Sequence, residues 1–160
     1  MKRLSSIFFF LTALTLSGCM IFAPDVTPGA SEEAVITRYG KPTARYKDGE
    51  HTLLEYANFF GQHTHMIRLD AAGRVLSREQ VLTVEQFDTI RTGKDDMKSV
   101  LLQIGQPAEK STLPLKRYIV WSYRYKEHGI WDSMMHIKFD AEGIVRDKEN
   151  GLDPLYLPRN

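Results

Sequence analysis

The chain has a single cysteine in 160 residues and almost no net charge. One cysteine excludes an internal disulfide framework and any cysteine-rich zinc site. The 21 basic and 20 acidic side chains leave no basic excess to neutralise phosphates, so we expect no nucleic-acid partner. No nucleophile-elbow, P-loop, dinucleotide-binding or His-Glu-x-x-His motif occurs. We therefore expect a protein without enzyme activity.

Long apolar runs are also scarce, and the longest, residues 7–16, lies close to the N-terminus. Ten residues are too few to span about 30 Å of hydrocarbon as a helix, but they suit the apolar part of a signal peptide. Leu16-Ser17-Gly18-Cys19 follows directly. This segment resembles a bacterial lipoprotein signal with its lipobox; an ordinary secretory signal is the alternative.

The lipobox resemblance implies cleavage between Gly18 and Cys19. It also implies a diacylglycerol on the Cys19 sulfur and an acyl chain on the new amino group, which anchor the protein firmly. Because Met20 rather than aspartate follows the cysteine, the sorting rule of such lipoproteins implies the outer membrane, facing the periplasm. We expect no cofactor beyond these covalent lipids, and no metal.

Beyond the anchor, two stretches of the chain share one pattern. Residues 31–42 and 96–107 both end in Gly-x-Pro, residues 54–56 match 121–123, and residues 67–75 match 137–145 through Asp-x-x-Gly. The offset between the copies grows slowly along the chain, as insertions in loops produce. The predicted organisation is a signal peptide (1–18), a lipid-anchored tether (19–30), a first unit (31–82), a second unit (83–148) and an extended tail (149–160).

Each unit changes from a helical period to a strand period. In the second unit an apolar helical stripe precedes Gly105 and Pro107, which are typical of a helix end. Thr83 and Gln86 form a capping-box pattern, so a second short helix is predicted there. Asp48-Gly49 is a hairpin-turn signal between alternating segments. We predict an α+β protein in which each unit packs one or two short helices on a three- or four-stranded antiparallel meander.

The second unit carries the closest resemblance to a known family. Its Gly105-Gln106-Pro107, Trp121-Ser122-Tyr123 and Phe139-Asp140-Ala141-Glu142-Gly143 resemble the BamE (SmpA/OmlA) lipoprotein domain. The first unit is a looser copy. The resemblance implies a role in outer-membrane β-barrel protein assembly or envelope maintenance, with other envelope proteins as partners, among them the barrel assembly machine. Tandem units of this kind also resemble the β-lactamase inhibitor protein fold, so an inhibitor of a periplasmic hydrolase is the alternative function.

Aromatic residues are the main candidates for contact with a partner. Trp121, Tyr123 and Tyr125 alternate and so share one sheet face, which either packs on the helices or binds a partner. Trp131 follows a turn-like segment, where an aromatic side chain is expected to be exposed. The remaining candidates are Tyr56, Phe59 and Phe60 in the first unit and, by resemblance to BamE, Phe22, Pro24 and Asp25 near the anchor.

Two histidines have a spacing that metals use. His63 and His65 lie on one face of a predicted strand, but no third ligand stands at a motif spacing. We therefore interpret them as partly buried or surface histidines rather than metal ligands.

Overall fold

A computed structural model describes residues 26–156 as two tandem α+β units. The first unit contains α1 (Glu32–Tyr39), β1 (Ala44–Asp48), β2 (His51–Ala57), β3 (Thr64–Leu69) and β4 (Val75–Gln80). The second contains α2 (Val84–Asp88), α3 (Met97–Ile104), β5 (Glu109–Leu113), β6 (Tyr118–Glu127), β7 (Trp131–Phe139) and β8 (Val145–Leu152). Each unit forms its own four-stranded antiparallel sheet in chain order. The predicted α+β class is confirmed.

The helices begin at the capping residues that the sequence predicts, and α1 and α3 end at the predicted glycines. The side chains of Ser31, Thr83 and Asp96 accept hydrogen bonds from backbone N–H groups in the first turns of α1, α2 and α3. These bonds satisfy donors that have no partner within the helix. Gly40 and Gly105 end α1 and α3 with φ near +79° and +78°, a conformation that glycine adopts without strain.

The β8 strand is longer than the sequence indicated. It pairs with β7 as far as Leu152, so its last residues belong to the sheet rather than to an extended tail. The Asn150 side chain explains this extension, because it accepts a hydrogen bond from the Tyr125 hydroxyl and donates one to Glu127. A short 3-10 turn, Pro154–Tyr156, ends the described chain.

The sheets and helices stack in layers. The α1 helix covers one face of the first sheet, where Val35 packs with Leu54 and Ile67. The other face of that sheet, which we call the inner face, packs against the helix pair α2–α3, and the same pair covers one face of the second sheet. Burial of apolar surface on both sides of the helix pair therefore gives the two units a shared core, and the cluster beneath α1 forms a second one.

Hydrogen bonds to a buried carboxylate link the two units. Glu55, on the inner face, is only 1% exposed. Its Oε2 accepts hydrogen bonds from the Tyr46 hydroxyl at 2.5 Å and from the Gln106 backbone N–H at 3.1 Å. The first unit thus holds the C-terminal end of α3, a contact between residues that lie 51 positions apart.

Alkaline pH is expected to weaken this core. Burial, followed by the nearby charges of Glu127 and Asp88, raises the pKa of Tyr125 to about 12, and burial raises the pKa of Tyr123 as well. A raised folded-state pKa stabilises the fold fully below about pH 10, where an unfolded tyrosine stays neutral, and this contribution is lost as pH rises toward 12. Urea unfolding between pH 8 and 12 should show this decline. In Tyr125→Phe the free energy of unfolding should fall less steeply with pH, and an unchanged slope would contradict the raised pKa of Tyr125.

No helix among residues 26–156 is long and apolar enough to cross a membrane.

Candidate functional site

Three of the predicted partner-binding aromatics belong to the core. Trp121, Tyr123 and Tyr125 lie on the face of the second sheet that the helix pair covers, and all three are buried. The Phe87 ring of α2 lies 4.9 Å from the Tyr125 ring, centroid to centroid, and the Tyr123 hydroxyl donates to the Gly105 carbonyl. The expectation that this aromatic face contacts a partner is therefore corrected, since the helices already occupy it.

The other predicted residues fall in different places. Tyr56 is half-buried against Tyr39, and its hydroxyl donates to the Gly40 carbonyl, so it supports α1. Trp131 is 64% exposed at the start of β7. Gly18, Cys19, Phe22, Pro24 and Asp25 lie outside the described residues.

In the part of the chain that the structure describes, His63 and His65 have no third metal ligand beside them. The pKa of His65 is lowered by burial and then by the charges of Arg78 and His63, and a lowered pKa keeps the imidazole neutral. His63 lies within hydrogen-bonding distance of Asn58. Among residues 26–156, no group of three or more histidine, cysteine, aspartate or glutamate side chains is arranged to hold a metal ion.

Exposed apolar side chains gather at one end of the molecule, where the β2–β3 loop, the β6–β7 hairpin and the end of β8 meet. Every exposed aromatic side chain of the described residues lies here, and Phe59 is 97% exposed. We call this group the distal surface. It consists of Phe59, Phe60, Ile130, Trp131, Leu152, Leu155 and Tyr156.

Asp132 joins the three segments that carry the distal surface. Its carboxylate accepts a hydrogen bond from Gln62 of the β2–β3 loop and pairs with Lys126 of β6 at 2.7 Å. Its backbone carbonyl accepts from the Asp153 N–H at 3.0 Å. The hydrogen bond from Lys126 is the main cause that lowers the pKa of Asp132, so this carboxylate is charged at neutral pH.

A second ion pair fixes the end of the described chain. The buried Asp153 carboxylate lies 3.1 Å from Arg124 Nε and accepts from the Leu155 N–H. The contact with Arg124 is a close ion pair rather than an aligned hydrogen bond, because neither atom meets hydrogen-bond geometry. Lys126 Nζ also lies 5.8 Å from the Tyr156 ring centroid. These contacts hold Leu155 and Tyr156 beside the β6–β7 hairpin.

The distal surface lies opposite the point where the chain enters the fold. Gly29 and Ala30 exchange backbone hydrogen bonds with Val75, and Glu32 N–H donates to Gly73. The chain therefore enters beside the β3–β4 turn. The β2–β3 loop lies at the other end of β3, about 20 Å away at the usual rise of a strand.

Part of the distal surface has a signal in the sequence. Phe59 and Phe60 are adjacent aromatics next to Gly61, and Ile130 and Trp131 follow Gly129, a pattern typical of exposed loop tips. Leu152, Leu155 and Tyr156 have no comparable signal, because their position depends on the contacts of Asp132 and Asp153.

Replacing Asp132 with alanine is expected to loosen the β2–β3 loop. The Gln62 amide is almost completely buried, and the variant removes its hydrogen-bond acceptor. Amide hydrogen exchange at residues 58–62 should rise by about tenfold. The matched control is Asp147→Ala, which also removes a lysine-bound carboxylate but leaves Lys138 paired with Glu149. Equal exchange at residues 58–62 in both variants would contradict the role of Asp132.

The sequence matches no protein-family model and no curated protein. Among solved structures, it is similar to the DUF4309 family protein YjgB of Bacillus subtilis, with 15% identity, a TM-score of 0.31 and coverage of 79% of this chain and 80% of that one. It is also similar to a candidate beta-lactamase inhibitor protein from Streptococcus mutans, with 16% identity, a TM-score of 0.31 and coverage of 81% and 86%. Likeness at this level decides neither fold nor function, and the resemblance to BamE stays a prediction.

Proposed function

We propose that this protein is a non-enzymatic binding module that Cys19 anchors to the outer membrane on its periplasmic side, and that its distal surface contacts a protein partner. The observation that supports this proposal is the concentration of every exposed aromatic side chain of residues 26–156 at the end opposite the chain entry. Exposed aromatic clusters are typical of interface anchors. A body held at its entry end would direct this surface away from the lipid.

Barrel assembly proteins and other envelope proteins are the first candidate partners. This choice rests on the lipobox and on the resemblance to the BamE domain in the second unit. The distal surface fits such a role because ion pairs and hydrogen bonds hold its three segments together, so few groups need ordering on binding.

Inhibition of a periplasmic hydrolase is the second candidate function. Phe59 is almost fully exposed on a loop, a form that suits insertion into a cleft, and hydrolases bind their substrates in clefts. In this role the loops of the distal surface, rather than the buried Trp121 face, would enter the enzyme.

The two functions can be separated by isolating the lipidated protein from solubilised outer membranes and identifying bound proteins by mass spectrometry. Barrel assembly components support the first function, and a hydrolase whose activity falls on binding supports the second. In both cases Trp131→Ala should reduce capture, whereas Leu115→Ala should not. Leu115 is a matched control because it is fully exposed in the β5–β6 connection, away from the distal surface. Capture that is equal in both variants would contradict the proposal.

A further inference from the structure

The two units are equivalent at the level of individual contacts. The Tyr56 hydroxyl donates to the Gly40 carbonyl at the end of α1, and the Tyr123 hydroxyl donates to the Gly105 carbonyl at the end of α3, at 3.0 and 3.1 Å. Isolated β-bridges at Ser31 and Asp96 also join each helix start to the third turn of its own sheet. Each helix therefore lies on the same face of its own sheet.

The opposite face differs between the two units. In the first unit the inner face pairs Leu53 with Arg68 and Glu55 with Met66, and the helix pair of the second unit covers it. In the second sheet the equivalent pairs are Val120 with Lys138 and Ser122 with His136. None of the helices α1, α2 and α3 covers that face, which we call the open face. The turn Pro154–Tyr156 lies against part of it, because Pro154 lines it and Asp153 pairs with its Arg124.

The open face forms a groove of about 480 Å³. Its floor contains the buried side chains of Val120 and Met134, and Leu113 and Pro154 also line it. The acids Glu109, Asp147 and Glu149 on this face keep half or more of their side-chain surface exposed. Arg124 pairs with Glu109, and Lys138 pairs with both Asp147 and Glu149. The open face therefore combines an apolar floor with more acidic than basic side chains.

The helix that covers the inner face of the first sheet indicates which surface would bind the equivalent open face of the second sheet. On α3, Leu102 and Gln103 face the inner face and share a groove with Arg68 and Glu79. With the offset of the repeat, the equivalent residues of α1 are Thr37 and Arg38, and both are exposed. The neighbouring Ile36 is 41% exposed. One chain thus carries an equivalent of each half of the inter-unit contact, and no helix of eight residues among residues 26–156 packs on either of them.

The charges of the two halves are complementary. Arg38 is equivalent to Gln103, and Glu149 is equivalent to Glu79, which lies in the same groove as Gln103. Placing a second α1 on the open face in the same way brings Arg38 close to Glu149. Opposite charges brought together in this manner favour the contact and fix its register.

We propose that the open face of one copy binds the outward side of α1 of a second copy, head to tail. The contact reproduces the joint between the two units of one chain. Because it uses two different surfaces, each copy keeps one surface free after a single contact and can bind further copies.

Sedimentation velocity of the full-length protein in detergent tests this contact. We expect the unaltered protein to form dimers and longer species as its concentration rises toward about 100 µM. Arg38→Glu and Glu149→Lys, each alone, should weaken association by about tenfold or more because like charges then meet. An equimolar mixture of the two variants should associate again, since each chain then offers the complementary charge to the other.

Glu142→Lys is the matched control, because Glu142 is an exposed carboxylate in the β7–β8 turn and lies off the open face. It should associate like the unaltered protein. A monomer throughout the concentration range would overturn the proposal, as would single reversals without effect or a mixture that does not associate. Arg38 and Glu149 lie outside the distal surface, so this outcome is independent of the proposed function.

Discussion

Gly105→Ala is expected to lower the free energy of unfolding by about 4 kcal/mol, through two separate causes. Gly105 has φ +78° and ψ −162°, a region that costs other residues about 1–3 kcal/mol. An added Cβ would also lie 2.7 Å from Cδ and 2.8 Å from Oε2 of Glu55. Crowding of this kind in a packed core costs a further 1–3 kcal/mol or so.

Gly40→Ala is the matched control for this effect. Gly40 ends α1 with nearly the same backbone angles, φ +79° and ψ −164°, but an added Cβ would have no atom within 4 Å. The control should therefore carry only the backbone cost of about 2 kcal/mol. Urea unfolding followed by tryptophan fluorescence measures both variants. Equal losses would contradict the contact by which Glu55 fastens the end of α3.

Alanine at Phe59 and Trp131 is expected to give the second large effect, on partner binding. Aromatic side chains at the centre of an interface commonly contribute 2 kcal/mol or more each, so each variant should weaken binding by about 30-fold or more. Both side chains are mostly exposed in the isolated protein. Their removal should therefore change the free energy of unfolding by less than about 0.5 kcal/mol.

The separation between affinity and stability makes this prediction specific. A variant that lost binding because it unfolded would also lose its thermal transition, which circular dichroism would detect. Leu115→Ala removes an equally exposed apolar side chain from the β5–β6 connection and should change neither quantity. A loss of affinity in Leu115→Ala similar to that in Trp131→Ala would contradict a partner site confined to the distal surface.

Local structure was predictable from the sequence because its causes are local. Ser31, Thr83 and Asp96 cap helices through bonds to residues three positions away, and Asp48-Gly49 turns a hairpin between adjacent strands. The slow drift in the offset between the repeats was enough to predict two units with one architecture. Each of these signals acts within a short window of the chain.

The identity of the buried face was not predictable in the same way. Alternation places Trp121, Tyr123 and Tyr125 on one face, but it does not determine whether helices or solvent meet that face. Phe87 of α2 and the α3 helix settle the question through tertiary packing. The hydrogen bond between Gln62 and Asp132 links residues that lie 70 positions apart. No sequence pattern around either residue predicts this contact.

The most direct test of partner binding at the distal surface is quantitative affinity isolation of the full-length protein from solubilised membranes in three forms: unaltered, Trp131→Ala and Leu115→Ala. We expect a set of envelope proteins that the unaltered protein and Leu115→Ala recover equally and that Trp131→Ala loses almost completely. The same recovery from all three forms would contradict the claim that the distal surface binds the partner.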